Sequence, residues 1–347
     1  MLSAATQEVA VAQFDMPRGE LEQYTPQIDE PDDFDDFWAH TIAEARAAGD
    51  AQPGGGAPVL ERVDAGLTQV TVDDVTFPGF GGHPVKAWLT RPAHAEGPLP
   101  AVVQYQGYNG GRGLPHEHLG FAAAGYAHLM MDTRGQGSGW GGGGATPDPV
   151  GAGPTVPGYM TRGIEDPHDH FYRRVLTDGV RAVDAVRAID GVDPERVAVT
   201  GVSQGGGITI AVAGLLGDLA AAMPDVPFLC HYRRAVQISD AMPYGEITQY
   251  LHVHRAPEVE ERTWRTLSYL DGVSFARRAQ APALFSTALM DDVCPPSTVY
   301  AARNAWGAEA EGATTEPPRI DVYPYNGHEG GAEYRFAQHL AFLREHL

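Results

Sequence analysis

The chain has 347 residues, 43% of them apolar, 9% aromatic and 20% charged, which is the composition of an ordinary globular protein with room for a large core. Collagen-like, disordered and disulfide-scaffold classes are excluded, because the 42 glycines and 27 prolines follow no period and the only cysteines are Cys230 and Cys294. With 45 Asp and Glu against 24 Lys and Arg, the formal net charge is −21, so neither nucleic acid nor an anionic membrane surface is an expected partner.

The opening MLSAATQEVAVAQFDMP lacks a basic stretch followed by an apolar one, so no secretory signal is read there. No apolar run reaches the roughly 18 residues that span a bilayer. With so few cysteines, a cytoplasmic location is expected. Residues 1–33 are polar and acidic. FDDFWAHTIAEARAA, from Phe34 to Ala48, repeats Phe34, Phe37, Trp38, Ile42 and Ala45 at helical spacing and stops at Gly49. VLERVDA, TQVTVDDVTF and VKAWLTRP, between Val59 and Pro92, alternate like antiparallel strands.

From Pro100 the pattern becomes strand, helix, strand. Ala101–Tyr105 reads as a buried strand, His116–Ala124 as a helix and Tyr126–Asp132 as a strand. A glycine-rich loop runs from Thr133 to about Gly163, and His170–Ile189 is a strong helix. Arg196–Thr200 is a strand, Gly206–Leu216 a helix, and residues 232–272 a mostly helical insertion. Ala283–Leu289 and Ile320–Tyr325 are strands, Ser297–Trp306 a helix between them, and a helix from about Ala332 to His346 closes the chain. Such alternation implies an α/β fold with a mostly parallel central sheet flanked by helices. We read residues 1–347 as one domain, with 1–57 as a helical N-terminal extension.

Gly201-Val202-Ser203-Gln204-Gly205 matches G-x-S-x-G between a strand and a helix. The turn is so sharp that positions two away from the serine must lack side chains. It lifts the hydroxyl above the sheet, where the following helix aims its free N–H groups. A serine needs a base held by an acid, and in this architecture the chain order is Ser, acid, His. Asp291 and Asp292 follow one predicted strand, and Gly327-His328-Glu329 follows the last. An oxyanion would take the backbone N–H of Gln204 and one from the loop Gln106-Gly107-Tyr108-Asn109, with Tyr108 best placed.

Other motifs carry less. Gly139–Gly144 matches G-x-G-x-x-G but opens no helix, so no dinucleotide site is read. His116/His118 and His168/His170 would diverge at their spacing and complete no metal site. Neither cysteine sits on a nucleophile turn, so both are read as small buried hydrophobes.

Arg134-Gly135-Gln136, Gly201-Val202-Ser203-Gln204-Gly205-Gly206 and His328-Glu329 resemble the RGQ, GxSQGG and HE motifs of carbohydrate esterase family seven, the acetyl xylan esterases and cephalosporin C deacetylases. YQGYNGGRG, MDTRGQGSGW, DVPFLCHYRRAVQ, MDDVCPPSTVYAARN and YPYNGHEGG extend the resemblance from about Phe14 to the C-terminus. It implies an α/β-hydrolase fold with nucleophile Ser203, base His328 and acid Asp291, in preference to Asp292. It also implies no metal or other cofactor, a cytoplasmic location and a homohexamer with sites facing an inner cavity. Phe121, Trp140, Phe228, Pro243 and Val293 would line the pocket, and Arg134 would organise the loop beneath the triad. The expected substrates are small acetylated sugars, such as acetylated xylo-oligosaccharides, and cephalosporin C. The alternatives are an oligopeptidase-like serine aminopeptidase, a broad short-chain carboxylesterase and a non-enzymatic binding protein of the same fold. The last is disfavoured because Ser, Asp and His are all present.

Overall fold

The computed structural model describes residues 13–151, 153, 158–310 and 316–347. The first dozen residues, part of the glycine-rich loop and residues 311–315 lie outside that description. Nine strands form one sheet: β1 (Val59–Val63), β2 (Val70–Pro78), β3 (Pro84–Pro92), β4 (Leu99–Tyr105), β5 (Ala127–Met131), β6 (Val192–Val202), β7 (Ala221–Asp225), β8 (Leu284–Ala288) and β9 (Arg319–Tyr323), in the order β1-β2-β3-β5-β4-β6-β7-β8-β9. The pairs β1–β2, β2–β3 and β3–β5 are antiparallel and the remainder parallel, as the change of rhythm at Pro100 implies.

The helices are α1 (Arg18–Leu21), α2 (Phe34–Asp50), α3 (Gly120–Ala123), α4 (Phe171–Arg187), α5 (Gln204–Leu215), α6 (Tyr232–Ile238), α7 (Gly245–Val253), α8 (Pro257–Ser268), α9 (Gly272–Arg278), α10 (Pro296–Ala305) and α11 (Tyr334–His346). Alternate residues of the central strands face two cores. Val103 and Val199 join α2, α4 and α5 in the larger cluster, while Val102 and Ala198 join Phe342 and Leu343 of α11 in the smaller. Helix α2 is fixed by Phe34, Phe37 and Trp38, whose indole N–H donates to the Tyr269 carbonyl over 2.9 Å.

Two readings are corrected. Strand β7 was not legible, because Ala-Ala-Met-Pro-Asp has no β-branched residue; burial on both faces between β6 and β8 makes it a strand. The helix expected over His116–Ala124 shrinks to Gly120–Ala123, because His118 takes a left-handed φ of 54° and Glu117 turns back to accept the Leu114 N–H over 3.1 Å. His116 and His118 are therefore not on a helix.

Candidate active site

Strand β6 runs straight into α5, and Ser203 between them sits at φ 58°, ψ −117°. The two motif glycines allow this turn. A Cβ at Gly201 would overlap the Gly205 backbone, and one at Gly205 would overlap the Tyr105 carbonyl. The turn is anchored on both sides: Ser203 N–H donates to the Asp225 carbonyl over 2.9 Å, and its carbonyl accepts from Phe228 and Gly207 over 2.9 and 3.0 Å.

The loops after β8 and β9 bring Asp291 and His328 to the same place. Ser203 Oγ is 2.9 Å from His328 Nε2, and His328 Nδ1 is 2.9 and 3.1 Å from the two Asp291 carboxylate oxygens. Asp291 is fully buried, and its Oδ1 also accepts the backbone N–H groups of Val293 and Cys294 over 2.9 and 2.8 Å. A carboxylate so placed only accepts. Nδ1 therefore carries the imidazole proton, and Nε2 is free to take one from the serine. Asp292 is exposed, and its backbone carbonyl accepts from Ser239 Oγ. The Glu329 side chain accepts from Asn326 Nδ2 over 2.8 Å and closes the loop that holds His328.

Beside the serine, Gln204 begins α5, so its N–H has no acceptor within the helix. The Tyr108 loop is held against it. Trp140 Nε1 donates to the Tyr108 carbonyl over 2.9 Å, and the indole covers Gly107 and Gly110, where Cβ atoms would strike it. Gln136 Oε1 accepts the Asn109 N–H over 2.7 Å, and Gln136 Nε2 donates to Gln204 Oε1 over 2.8 Å. Gln204 Oε1 also accepts from Tyr172 over 2.9 Å.

The remaining motif residues are placed as follows. Arg134 is wholly buried and pairs with Asp178 of α4, with Nη2 2.7 Å from Oδ1. Asp178 also accepts the Phe80 N–H, so the arginine ties the glycine-rich loop to α4 and the β2–β3 turn. Gly135 takes φ 66°, where a side chain would be strained. Phe228 is buried, with Tyr244 at 4.4 Å and Tyr108 at 6.3 Å between ring centroids. Pro243 is buried after a cis peptide bond and Val293 is half-buried. Trp140 is 53% exposed. Phe121 is packed in the smaller core between His128 and Phe336, a setting that packing alone accounts for.

The other motif residues have structural roles. His170 caps α4, accepting the Tyr172 N–H over 3.1 Å while its Nε2 faces the Met160 carbonyl at 2.9 Å; burial lowers its pKa to about 4, which keeps it neutral. Cys230 and Cys294 are free and buried. Sequence reading missed Glu246, which joins Tyr108, and Asp225, which joins the serine turn to α11. Glu246 had one signal, an acid inside the apolar run Tyr244-Gly245-Glu246-Ile247.

Residues 11–346 match the acetyl xylan esterase (AXE1) family. The chain belongs to that family. Its members are carboxylic ester hydrolases. An acetyl xylan esterase from Paenibacillus sp. R4 superposes with a TM-score of 0.86 at 37% identity, covering 96% of this chain and 100% of that one. Acetyl xylan esterase 1 from a Thermoanaerobacterium species superposes at 0.83 with 31% identity, covering 96% and 99%. An acetyl esterase of Xylanibacter ruminicola is 27% identical over 341 residues, covering 91% of this chain and 67% of that protein. A Pyrococcus horikoshii acylaminoacyl peptidase superposes at 0.59 with 16% identity, covering 82% and 43%, and shares the α/β-hydrolase fold alone.

Proposed function

We propose that this esterase removes acetyl groups from small acetylated carbohydrates, such as acetylated xylo-oligosaccharides, through an acetyl-enzyme on Ser203. Ser203 Oγ attacks the acetyl carbonyl while its proton passes to His328 Nε2, and Asp291 stabilises the imidazolium. The Gln204 and Tyr108 N–H groups hold the oxyanion, each worth on the order of 3–4 kcal/mol in the transition state. The imidazolium gives its proton to the leaving sugar hydroxyl. Water then loses a proton to the same nitrogen, attacks the acetyl-enzyme, and releases acetate and free Ser203.

The observation that carries this reading is the unbroken line from Ser203 Oγ through His328 to Asp291, with contacts of 2.9 Å at each step. Trp140, Phe228, Pro243 and Val293 form the acyl side of the site in this reading. The acetyl ester of cephalosporin C, which offers the same small acyl group, is a second substrate. We further propose a cytoplasmic homohexamer, built from a single catalytic domain with a helical insertion over 232–272. Light scattering on the purified protein tests the assembly. Hydrolysis of acetylated xylo-oligosaccharides, peracetylated monosaccharides, cephalosporin C and aminoacyl anilides tests the substrate. Acetate release from the sugars with no anilide cleavage is expected. Anilide cleavage without deacetylation would overturn the reading.

A further inference from the structure

Tyr108 is held from several sides, and one of its partners is a buried carboxylate on the helical insertion. Glu246, in the first turn of α7, is 3% exposed and accepts a hydrogen bond from the Tyr108 hydroxyl. Its other oxygen accepts the Met160 N–H over 2.8 Å, while the Tyr108 hydroxyl accepts the Tyr159 N–H over 2.8 Å. The fit is close, since a Cβ at Gly158 would overlap the Glu246 carboxylate. Burial raises the Glu246 pKa, and burial together with that carboxylate raises the Tyr108 phenol much further, so the phenol keeps its proton as the donor.

We infer that Glu246 is a positioning residue for the oxyanion hole. It fixes the Tyr108 ring, and through the ring and backbone it fixes the direction of the Tyr108 N–H. This rests on Tyr108 being an oxyanion donor, as proposed above. The chemistry requires such a tie because a donor assists only where charge develops, and a loop N–H free to turn toward water loses that preorganisation. The carbonyl of the same peptide segment is held by Trp140 and the next N–H by Gln136, so the remaining freedom is that of the side chain, which Glu246 restrains together with the Tyr159 N–H. It also makes the insertion a part of the catalytic apparatus, joining α7, the 158–160 turn and the loop after β4.

Glu246→Gln keeps shape and removes charge; Tyr108→Phe removes the phenol but leaves the backbone N–H in place. Each variant is compared with the parent for kcat and KM on p-nitrophenyl acetate, per active site titrated by burst, and for inhibition by phenylboronic acid, whose serine adduct carries the oxyanion. Each substitution should lower kcat roughly 10–100-fold with KM within about 3-fold, and weaken boronate inhibition by a similar factor, because only transition-state contacts are lost. The double variant should lose no more than the worse single one. A purely structural tie would instead lower Tm and the titratable fraction while leaving kcat per site and boronate inhibition within about 2-fold of the parent, and that result overturns the inference. If Glu246→Gln does not fold, Tyr108→Phe decides by the same two readouts. Ser203→Ala, run alongside, separates the two levels. A dead Ser203→Ala beside unaffected Glu246 and Tyr108 variants sinks the positioning role alone, whereas an active Ser203→Ala sinks the proposed mechanism.

Discussion

The Gln136 side-chain amide links the Asn109 backbone to the Gln204 side chain, accepting from Asn109 N–H over 2.7 Å and donating to Gln204 Oε1 over 2.8 Å. These residues adjoin Tyr108 and begin α5, so one side chain ties together the two segments that carry the proposed oxyanion donors. Gln136→Ala would leave the part-buried Asn109 N–H without its acceptor and remove one partner of the Gln204 amide, which keeps Tyr172 and the Gln106 carbonyl. We expect kcat on p-nitrophenyl acetate to fall at least roughly 10-fold and stability by about 1–3 kcal/mol. Steady-state kinetics with urea denaturation checks both, and an unchanged kcat would detach Gln136 from catalysis.

Asp291→Asn should be far more damaging than Asp292→Asn. The buried Asp291 carboxylate faces His328 Nδ1, and an amide there favours the wrong imidazole tautomer, with a loss on the order of 10⁴ in kcat. Asp292 is exposed, so its amide variant should stay within a factor of about 2. Parallel kcat measurements decide, and equal losses or the reverse order would move the acid one position along the chain.

The serine turn was legible because its physics is local: two glycines, a strand before and a helix after. The loops carrying Asp291 and His328 were legible for the same reason, since each directly follows a recognisable strand. The choice between Asp291 and Asp292 came from the family motif alone. What the sequence did not reveal depends on distant partners. Glu246 acquires its meaning from Tyr108, 138 positions away, and Asp225 from Arg335, 110 positions away. Strand β7 is likewise made by its neighbours and not by its own propensity. The family motif implies a pocket wall for Trp140; the contact the structure shows is its indole N–H on the Tyr108 carbonyl, which the sequence did not reveal.

Asp225 should make the fold sensitive to acid. Burial alone would raise its pKa, but His339 and Arg335 outweigh that and hold it at about 2, below the ordinary 3.8. The folded state therefore releases this proton more readily than the unfolded chain. The resulting stabilisation, about 2 kcal/mol, is complete above roughly pH 4–5 and is lost as the pH falls toward 2. Asp225→Asn should cost about 2–3 kcal/mol at pH 7, because it removes one of the two carboxylates that pair with Arg335, leaving Asp321, and the carboxylate that faces His339. It should also flatten the decline in stability between pH 4 and 2. Urea midpoints across that range test this, and an unaltered pH slope would contradict it.

Acyl length should be restricted. Each added methylene would gain about 0.8 kcal/mol if it could be buried. If, as proposed, the Trp140 indole and the Phe228 ring close the acyl side, a longer chain instead meets roughly 1–3 kcal/mol of overpacking. The expected order of kcat/KM is p-nitrophenyl acetate, then butyrate, then octanoate. A flat or rising series would indicate an open pocket and a broader carboxylesterase.

The most direct test of the central claim is the turnover of Ser203→Ala on p-nitrophenyl acetate, with circular dichroism to establish that the fold is kept. The hydroxyl is small and packs little, so the fold should be unaffected while kcat falls roughly 10⁴–10⁶-fold. A folded Ser203→Ala protein that retains more than about a few per cent of parental turnover would contradict the account, because residual catalysis without the nucleophile is far smaller than that.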